Sequence, residues 1–189
     1  IYICGATESG KSYWAKQYLK QLLKVHPDKK IYLISDVDED EELDDLPNLE
    51  RLKLTDELVG KKLPEPKMFK DSIMLFDDID SIVNKKVFDM VCKLRDQLLR
   101  RGRHENISLI ITSHLCTNYK DTRIILNECN SITFFPRSGS KHGLQYMLKK
   151  YAGLDKKAIQ KIFNLPSRAV TVYLNYPQYV VYEKGAYLL

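Results

Sequence analysis

No stretch of this chain approaches the roughly 20 consecutive apolar residues that a membrane-spanning helix needs, so no integral membrane segment is expected. Cysteine is sparse: Cys4, Cys92, Cys116 and Cys129 lie far apart and form no C-x-x-C pair. That spacing argues against a disulfide framework and a structural zinc site. It fits a reducing compartment, with the four thiols as small buried apolar groups. Internal repeats, low-complexity tracts and linker-like stretches are missing too, which predicts one domain over residues 1–189. No secretory leader opens the sequence. IYIC (1–4) already reads as a buried strand, which implies that further residues precede it in the protein.

What is present has a globular balance, 44% hydrophobic and 29% charged, enough in 189 residues for one α/β domain with a substantial core. The net charge of +5 hides an uneven distribution: residues 36–57 hold eleven acids against two basic residues, a local −9 that leaves +14 elsewhere. A surface basic outside one acidic patch can attract a polyanion such as nucleic acid, although plain solvation explains such charge equally well.

Hydrophobic periodicity orders the chain. Residues 12–25 read as a helix with Trp14, Tyr18, Leu22 and Val25 on its apolar face. Strands are expected at 29–36, 50–54, 72–78, 106–114 and 131–135. The acidic 36–47 segment reads as an exposed loop or short helix. A long amphipathic helix is expected over 83–101, striped by Val83, Val87, Val91, Leu94 and Leu98. Shorter helices follow near 121–129, 141–152 and 155–163, and a β-hairpin closes the chain within 164–189, broken at Tyr176-Pro177. Strands apolar on both sides that alternate with helices imply a mostly parallel sheet covered on both faces.

Glycine is scarce, eight in all, yet two fall five apart in GATESGKS (5–12), and Lys and Ser follow the second. The string fits G-x-x-x-x-G-K-[ST] between a buried strand and an amphipathic helix, the context a phosphate-binding loop requires. Glycines let successive main-chain N–H groups converge on phosphate oxygens, and the following helix adds its own N-terminal donors. Nucleotide contacts are expected from Gly5, Ala6, Thr7, Glu8, Ser9, Gly10, Lys11, Ser12 and Tyr13. Lys11 would reach the β- and γ-phosphates of ATP, and the Ser12 hydroxyl would bind Mg²⁺.

SIMLFDD (72–78) supplies the second element, four apolar residues and two acids in the Walker B form. Asp77 would hold Mg²⁺ through water and Asp78 would polarise the attacking water; the plainer role for Asp78 is to cap the next helix. A third strand end, IITSH, places Thr112, Ser113 and His114 after an apolar run, with Ser113 or His114 as the γ-phosphate sensor. His114 also reads as an ordinary loop histidine. In LLRRGRHEN (98–106), Arg100, Arg101 and Arg103 crowd a helix end at which Gly102 suits a C-cap. Arg103, ahead of the other two, is a candidate arginine finger for a neighbouring subunit's nucleotide.

Together, GATESGKS, IMLFDD, the run from Arg103 to His114 and the SITFF strand resemble the HerA/FtsK superfamily of pumping ATPases. Within it the likeness is to the genome-packaging ATPases of poxviruses and other large or icosahedral DNA viruses. It covers roughly residues 1–140. The resemblance implies a RecA-like P-loop fold, ATP and Mg²⁺ as cofactors, and a homo-oligomeric ring, hexamer or pentamer, acting on double-stranded DNA. It also implies capsid or portal-vertex partners and a place in the virion or at an assembly site in the host cytoplasm. His114 departs from the Gln usual at the sensor position.

A cellular HerA- or FtsK-like translocase, or a conjugative one, is the alternative. A nucleotide switch or small-molecule kinase is a further one, although Asn84-Lys85-Lys86-Val87 lacks the Asp of a guanine-reading N-K-x-D. For DNA contact, Lys149, Lys150, Lys156 and Lys157 stand out in the basic 141–161 stretch; lysines at helical spacing are also simply a wet face.

Overall fold

Short Val/Ile/Leu/Phe runs bounded by polar turns form strands here because both of their faces are covered. The computed structural model describes residues 1–41, 43–53, 59–118 and 120–189. The chain divides into two compact units, Gly10–Ser113 and the combination of Ile1–Ser9 with His114–Leu189.

In the Gly10–Ser113 unit, helix α1 (Lys11–Val25) precedes strands β2 (Ile31–Ser35), β3 (Leu49–Arg51) and β4 (Ile73–Asp77). Helix α2 (Lys85–Arg101) and strand β5 (Ser108–Ser113) complete it. The strands pair in the order β3-β2-β4-β5, all parallel. Every residue of β4 is buried, so the carboxylate at its end is delivered by a fully dehydrated strand. Parallel pairing also puts the carboxyl ends of β4 and β5 on one edge, the edge where α/β folds place their ligands.

Helix α1 buries Ala15, Lys16, Leu19 and Leu23. The expected Trp14/Tyr18/Leu22/Val25 face is therefore corrected by about one residue: Trp14 and Tyr18 stack on each other, half-buried, with ring centroids 5.4 Å apart, and Val25 is 71% exposed. Helix α2 starts later than the spacing suggests. Asn84 caps it by accepting hydrogen bonds from the N–H groups of Lys86 and Val87, and Val83, 93% exposed, falls outside the stripe. Val87, Val91, Leu94 and Leu98 are buried as expected, joined by Arg95, whose guanidinium donates to Asp96 at 2.7 Å.

The acidic segment forms turns anchored by buried Leu43 and Leu46, and Arg51 donates to Asp44 at 2.6 Å. β3 covers only the start of the expected 50–54 strand, and residue 54 lies outside the described residues.

In the other unit, β1 (Tyr2–Cys4) pairs parallel with β6 (Ser131–Phe134), and β6 continues antiparallel through β7 (Val170–Tyr173), β8 (Tyr179–Tyr182) and β9 (Gly185–Leu188). The expected terminal hairpin is thus a three-stranded meander. Gly185–Leu188 is too exposed and too short to signal a strand by hydrophobicity. Helices α3 (Arg123–Glu128), α4 (Lys141–Lys150) and α5 (Lys156–Phe163) belong to the same unit. Ser140 caps α4 through the N–H of Gly143, and Asp155 caps α5 through that of Ala158. The α/β class and the parallel strands are as expected. Among the described residues no helix is long and apolar enough to cross a membrane.

The corrected α1 face has a direct test. Leu19→Ala, at a position with no exposure, is expected to cost about 2–5 kcal/mol in urea denaturation, whereas Val25→Ser should stay within about 0.5 kcal/mol of the native chain.

Candidate functional site

The phosphate-loop string straddles the two units, Gly5–Ser9 in one and Gly10–Ser12 in the other. Its first half leaves the buried strand β1 and turns at once. The N–H of Ser9 donates to the Ala6 carbonyl at 3.2 Å, and Glu8 takes a left-handed φ of 62°. Left-handed backbone is uncommon outside Gly, Asn and Asp, and such strain concentrates where function needs a loop shape. Gly5 is required sterically: a Cβ there would meet Ser9 Oγ at 2.5 Å and the Phe135 ring at 2.8 Å. Ser9 is 6% exposed, and its hydroxyl has no hydrogen-bond partner among the described residues. Arg168 Nε donates to the Ser9 carbonyl at 3.3 Å and holds the turn from outside. Thr7 and Glu8 are exposed and Ala6 is half-buried.

The second half opens α1. Gly10 is its N-cap at φ 103°, a conformation that suits glycine, and no side chain caps the helix. By contrast α2, α4 and α5 each have a side-chain cap. Helix α3 likewise has no side-chain cap, so the first turn of α1 differs in this from α2, α4 and α5 alone. Ser12 is half-buried and Tyr13 is 58% exposed.

Lys11, its side chain 4% exposed, forms an ion pair with Asp78 at 3.3 Å. Asp78 has a left-handed φ of 44°, and its N–H donates to Thr112 Oγ1 at 2.8 Å. The Thr112 hydroxyl in turn lies 2.8 Å from Asp77 Oδ1 and 3.0 Å from Asp78 Oδ1. One buried threonine therefore bridges both acids. Although Asp78 stands at the head of the 3₁₀ turn Ile79–Ser81, it makes no side-chain cap there, so its carboxylate serves the lysine and the threonine instead. Burial first, then the neighbouring Asp78 charge, pushes the Asp77 carboxyl up to about 6.

Ser113 Oγ donates to Asp80 Oδ2 at 2.9 Å, and His114 follows directly, half-buried, as the first residue of the other unit. Among the expected residues, then, Lys11, Asp77 and Asp78 come together, with Ser113 at the end of the neighbouring strand. Arg100 and Arg101 end α2, and Arg103 lies in the 3₁₀ turn Gly102–Glu105; all three are exposed. They precede β5, so they sit at the strand end opposite Thr112 and Ser113, with a strand advancing roughly 3.3 Å per residue between. Gly102 is the C-cap of α2, as expected, and its N–H donates to the Leu98 carbonyl; its φ is −62°, and the left-handed residue is Asn106, at φ 54° after the 3₁₀ turn. Lys149, Lys150, Lys156 and Lys157 are exposed on α4 and α5, where a groove of about 490 Å³ is lined by Lys141, Lys149, Lys156, Tyr146 and Phe163 among others.

Sequence reasoning passed over Thr112 in favour of its two successors. It also missed Arg168 and Asp80. The signal for Thr112 was the register: Phe76 pairs with Ile111, so the next residues along, Asp77 and Thr112, are neighbours.

Comparison with known proteins bears on the family and the fold. The Sputnik virophage protein V3, itself uncharacterised, is 40% identical over 188 residues, 98% of this chain and 75% of V3. The chain belongs to the V3 family. No protein-family model matches this chain. Its fold is shared with the genome packaging NTPase B204 of Sulfolobus turreted icosahedral virus 2 in complex with ATP-γ-S. That likeness has a TM-score of 0.60 at 18% identity and covers 99% of this chain and 94% of B204. The pCW3 conjugation coupling protein TcpA is similar over 100% of this chain and 58% of its own, with a TM-score of 0.56 at 14% identity. The α/β fold expected from the motifs is thus one that this V3-family chain shares with these structures.

The raised Asp77 carboxyl has a measurable consequence. Between its ordinary value of 3.8 and about 6, the folded protein binds more protons than the unfolded one, so stability falls as pH rises through that window. Asp77→Asn, which keeps an acceptor for Thr112, is expected to raise nucleotide-free stability at neutral pH by about 1–3 kcal/mol and to flatten the slope between about pH 4 and 6. Denaturant melts across pH check both.

Proposed function

We propose that residues 1–189 act as one ATP-hydrolysing domain of a motor that drives double-stranded DNA into a viral capsid. The observation that carries this reading is the buried pair of Lys11, from the phosphate-loop string, with Asp78, beside Asp77 and Thr112. A buried ammonium held by a carboxylate at the mouth of an uncapped helix is a cation ready to transfer to an incoming phosphate. On this reading the loop amides and Lys11 hold the triphosphate, and Asp78, freed from Lys11, orients and polarises the water. Thr112 keeps both acids in place. Ser113 and His114, at the end of β5, are candidates to sense the γ-phosphate.

Ser12 and Asp77 are the residues that would hold Mg²⁺. A hydroxyl and a carboxylate are the hard oxygen donors this ion takes, and a carboxyl pushed up to about 6 by burial first and then by the neighbouring Asp78 charge is in an environment a divalent cation relieves. Bound there, the ion would supply charge neutralisation at the β- and γ-phosphates.

The position of Arg100, Arg101 and Arg103, exposed and at the far end of β5 from the acids, supports a finger offered to a second copy rather than to the same chain. A ring of such chains, hexamer or pentamer, would complete each site with a neighbour's arginine, Arg103 first among the three. Lys149, Lys150, Lys156 and Lys157, exposed on two adjacent helices, are the proposed DNA-backbone contacts. Capsid or portal proteins would be partners, at the assembly site or in the virion. B204 is a genome packaging NTPase, and V3 belongs to a virophage, which favours packaging. The likeness to the conjugation coupling protein TcpA supports a second reading, DNA transfer between cells, on the same chemistry.

Three measurements test the proposal. ATP turnover should rise with added duplex DNA, and Lys11→Ala or Asp78→Asn should lower it at least about a hundredfold. Mixing Arg103→Ala with Asp78→Asn, each inactive alone, should restore activity, because hybrid interfaces pair an intact acid with an intact arginine. Neutralising Lys149 and Lys150 should reduce the salt dependence of DNA binding by about two ions. Turnover indifferent to DNA would sink the motor.

A further inference from the structure

Two thiols meet at the entrance to the phosphate loop, and the function proposed above makes no use of them. Cys4 is the last residue of β1 and directly precedes Gly5, whereas Cys116 lies in the segment leading to α3. Both belong to the unit containing Ile1–Ser9, and a hydrogen bond joins their side chains. We propose that Cys4 and Cys116 are an oxidisable pair, which hydrogen peroxide closes to a disulfide that weakens nucleotide binding. The pairing stands on the contact between the thiols; its effect on nucleotide rests on the phosphate-loop reading above.

The surrounding contacts hold the two sulfurs together. The Tyr2 hydroxyl donates to the Leu115 carbonyl at 2.6 Å, which ties the residue before Cys116 to β1. Helix α4 covers the pair: Met147 Sδ lies 3.9 Å from Cys4 Sγ, and a Cβ on Gly143, one turn earlier, would lie 3.9 Å from Cys116 Cβ. Thiols in hydrogen-bond contact need to approach by on the order of 2 Å to reach the S–S length of a disulfide. Their reactivities also differ. The hydrogen bond from Cys4 holds the Cys116 thiol below its ordinary value, whereas burial pushes Cys129 up to about 11. Peroxide reacts with thiolate, so Cys116 is attacked first and Cys129 stays inert. Cys116 also keeps 9% exposure, while Cys4 has none and is placed to resolve the oxidised partner.

The chemistry runs in two steps. The Cys116 thiolate attacks one peroxide oxygen, the O–O bond breaks, and the hydroxide released takes a proton and leaves as water. Cys116 is then a sulfenic acid. The Cys4 sulfur attacks the Cys116 sulfur, the S–S bond forms, and the sulfenic oxygen departs with a proton as a second water. The two thiols supply both protons, and one peroxide is reduced to two waters as they are oxidised to one disulfide. The consequence for the loop follows from packing. Cys4 is fully buried and pairs with Phe134 in the β1–β6 ladder, and at Gly5 even a Cβ would meet Ser9 Oγ at 2.5 Å. So tightly packed an interior transmits a shift of Cys4 into the turn from Ala6 to Ser9 rather than absorbing it. A bond of this kind, made and broken in a reducing compartment, is a switch and not a staple.

Peroxide treatment of the native full chain, followed by non-reducing peptide mapping by mass spectrometry, tests the pair. The expected product is a Cys4–Cys116 crosslink that has lost two hydrogen atoms, with Cys92 and Cys129 still thiols. Calorimetric titration with Mg-ATP should then show affinity at least about tenfold weaker, restored by dithiothreitol. That restoration separates the disulfide from oxidation of Met147, which needs an enzyme to reverse it. Cys116→Ser and Cys116→Ala, each shown by circular dichroism to be folded, should bind Mg-ATP as the reduced native chain does and lose the response to peroxide. The crosslink and its reversal are read on the native chain, so they decide the matter even where a variant does not fold. Thiols that stay unlinked under peroxide overturn the proposal. So does a crosslink that leaves Mg-ATP affinity unchanged, or a folded variant that peroxide still weakens. The phosphate-loop reading fails separately, through a reduced native chain that binds no Mg-ATP; the peptide map then decides the thiol pair by itself.

Discussion

Two carboxylates in sequence at the end of a fully buried strand are an electrostatic problem that the surrounding structure has to solve. Asp77 is 4% exposed, and the like charge beside it raises the cost of ionising it. The solution has three parts. Thr112 from the neighbouring strand meets both acids through one hydroxyl. The backbone at Asp78 turns left-handed, and its N–H donates to Thr112 Oγ1. Lys11, from the first turn of α1, brings a buried positive charge to Asp78. Each part fixes an element: β5 in register with β4, the turn after β4, and the start of α1. Removing any one leaves a buried charge or an unsatisfied polar group, and both are costly.

The first half of the phosphate loop obeys a different constraint, steric rather than electrostatic. Gly5 touches Ser9 and Phe135 so closely that no side chain fits, and Glu8 holds a backbone conformation its type seldom adopts. Such a turn persists only if its surroundings over-determine it. Arg168 does part of that by binding the Ser9 carbonyl, and Glu183 and Ser167 hold Arg168 in turn. The three-stranded meander at the end of the chain is therefore connected to the loop by direct hydrogen bonds as well as by the sheet pairing from β6 to β7.

These two constraints explain which features were legible in the sequence. GATESGKS and SIMLFDD are contiguous strings whose chemistry depends on spacing along the chain, so they could be read directly. The strands and helices were also visible, because burial imposes a period. The misplacements came where burial and hydrophobicity part company. Trp14 and Tyr18 dominate the hydrophobic pattern of α1, yet the ring pair satisfies itself by stacking, and the smaller Ala15 shares the core face with Leu19 and Leu23. Val83 extends the stripe of α2 on paper, but the cap at Asn84 starts the helix after it. Thr112 and Arg168 were missed for another reason. Their partners are 34 and 159 residues away, and only the strand register or the fold brings them in.

The arrangement also separates two kinds of charge that one phosphoryl transfer would use. The acids and Lys11 gather at the carboxyl ends of β4 and β5, whereas Arg100, Arg101 and Arg103 stand exposed before the start of β5. A strand is rigid along its length, so no rotamer change brings an arginine from one end to a phosphate at the other. On the proposed function, neutralisation of a developing charge within one chain would fall to Lys11 and to a cation held by Asp77 and Ser12. On the same reading a contribution from the arginines would come from another copy, one that turns its own β5 start toward this β5 end. On the function proposed above, turnover would depend on assembly, and DNA that organises the copies would act on hydrolysis through the same geometry.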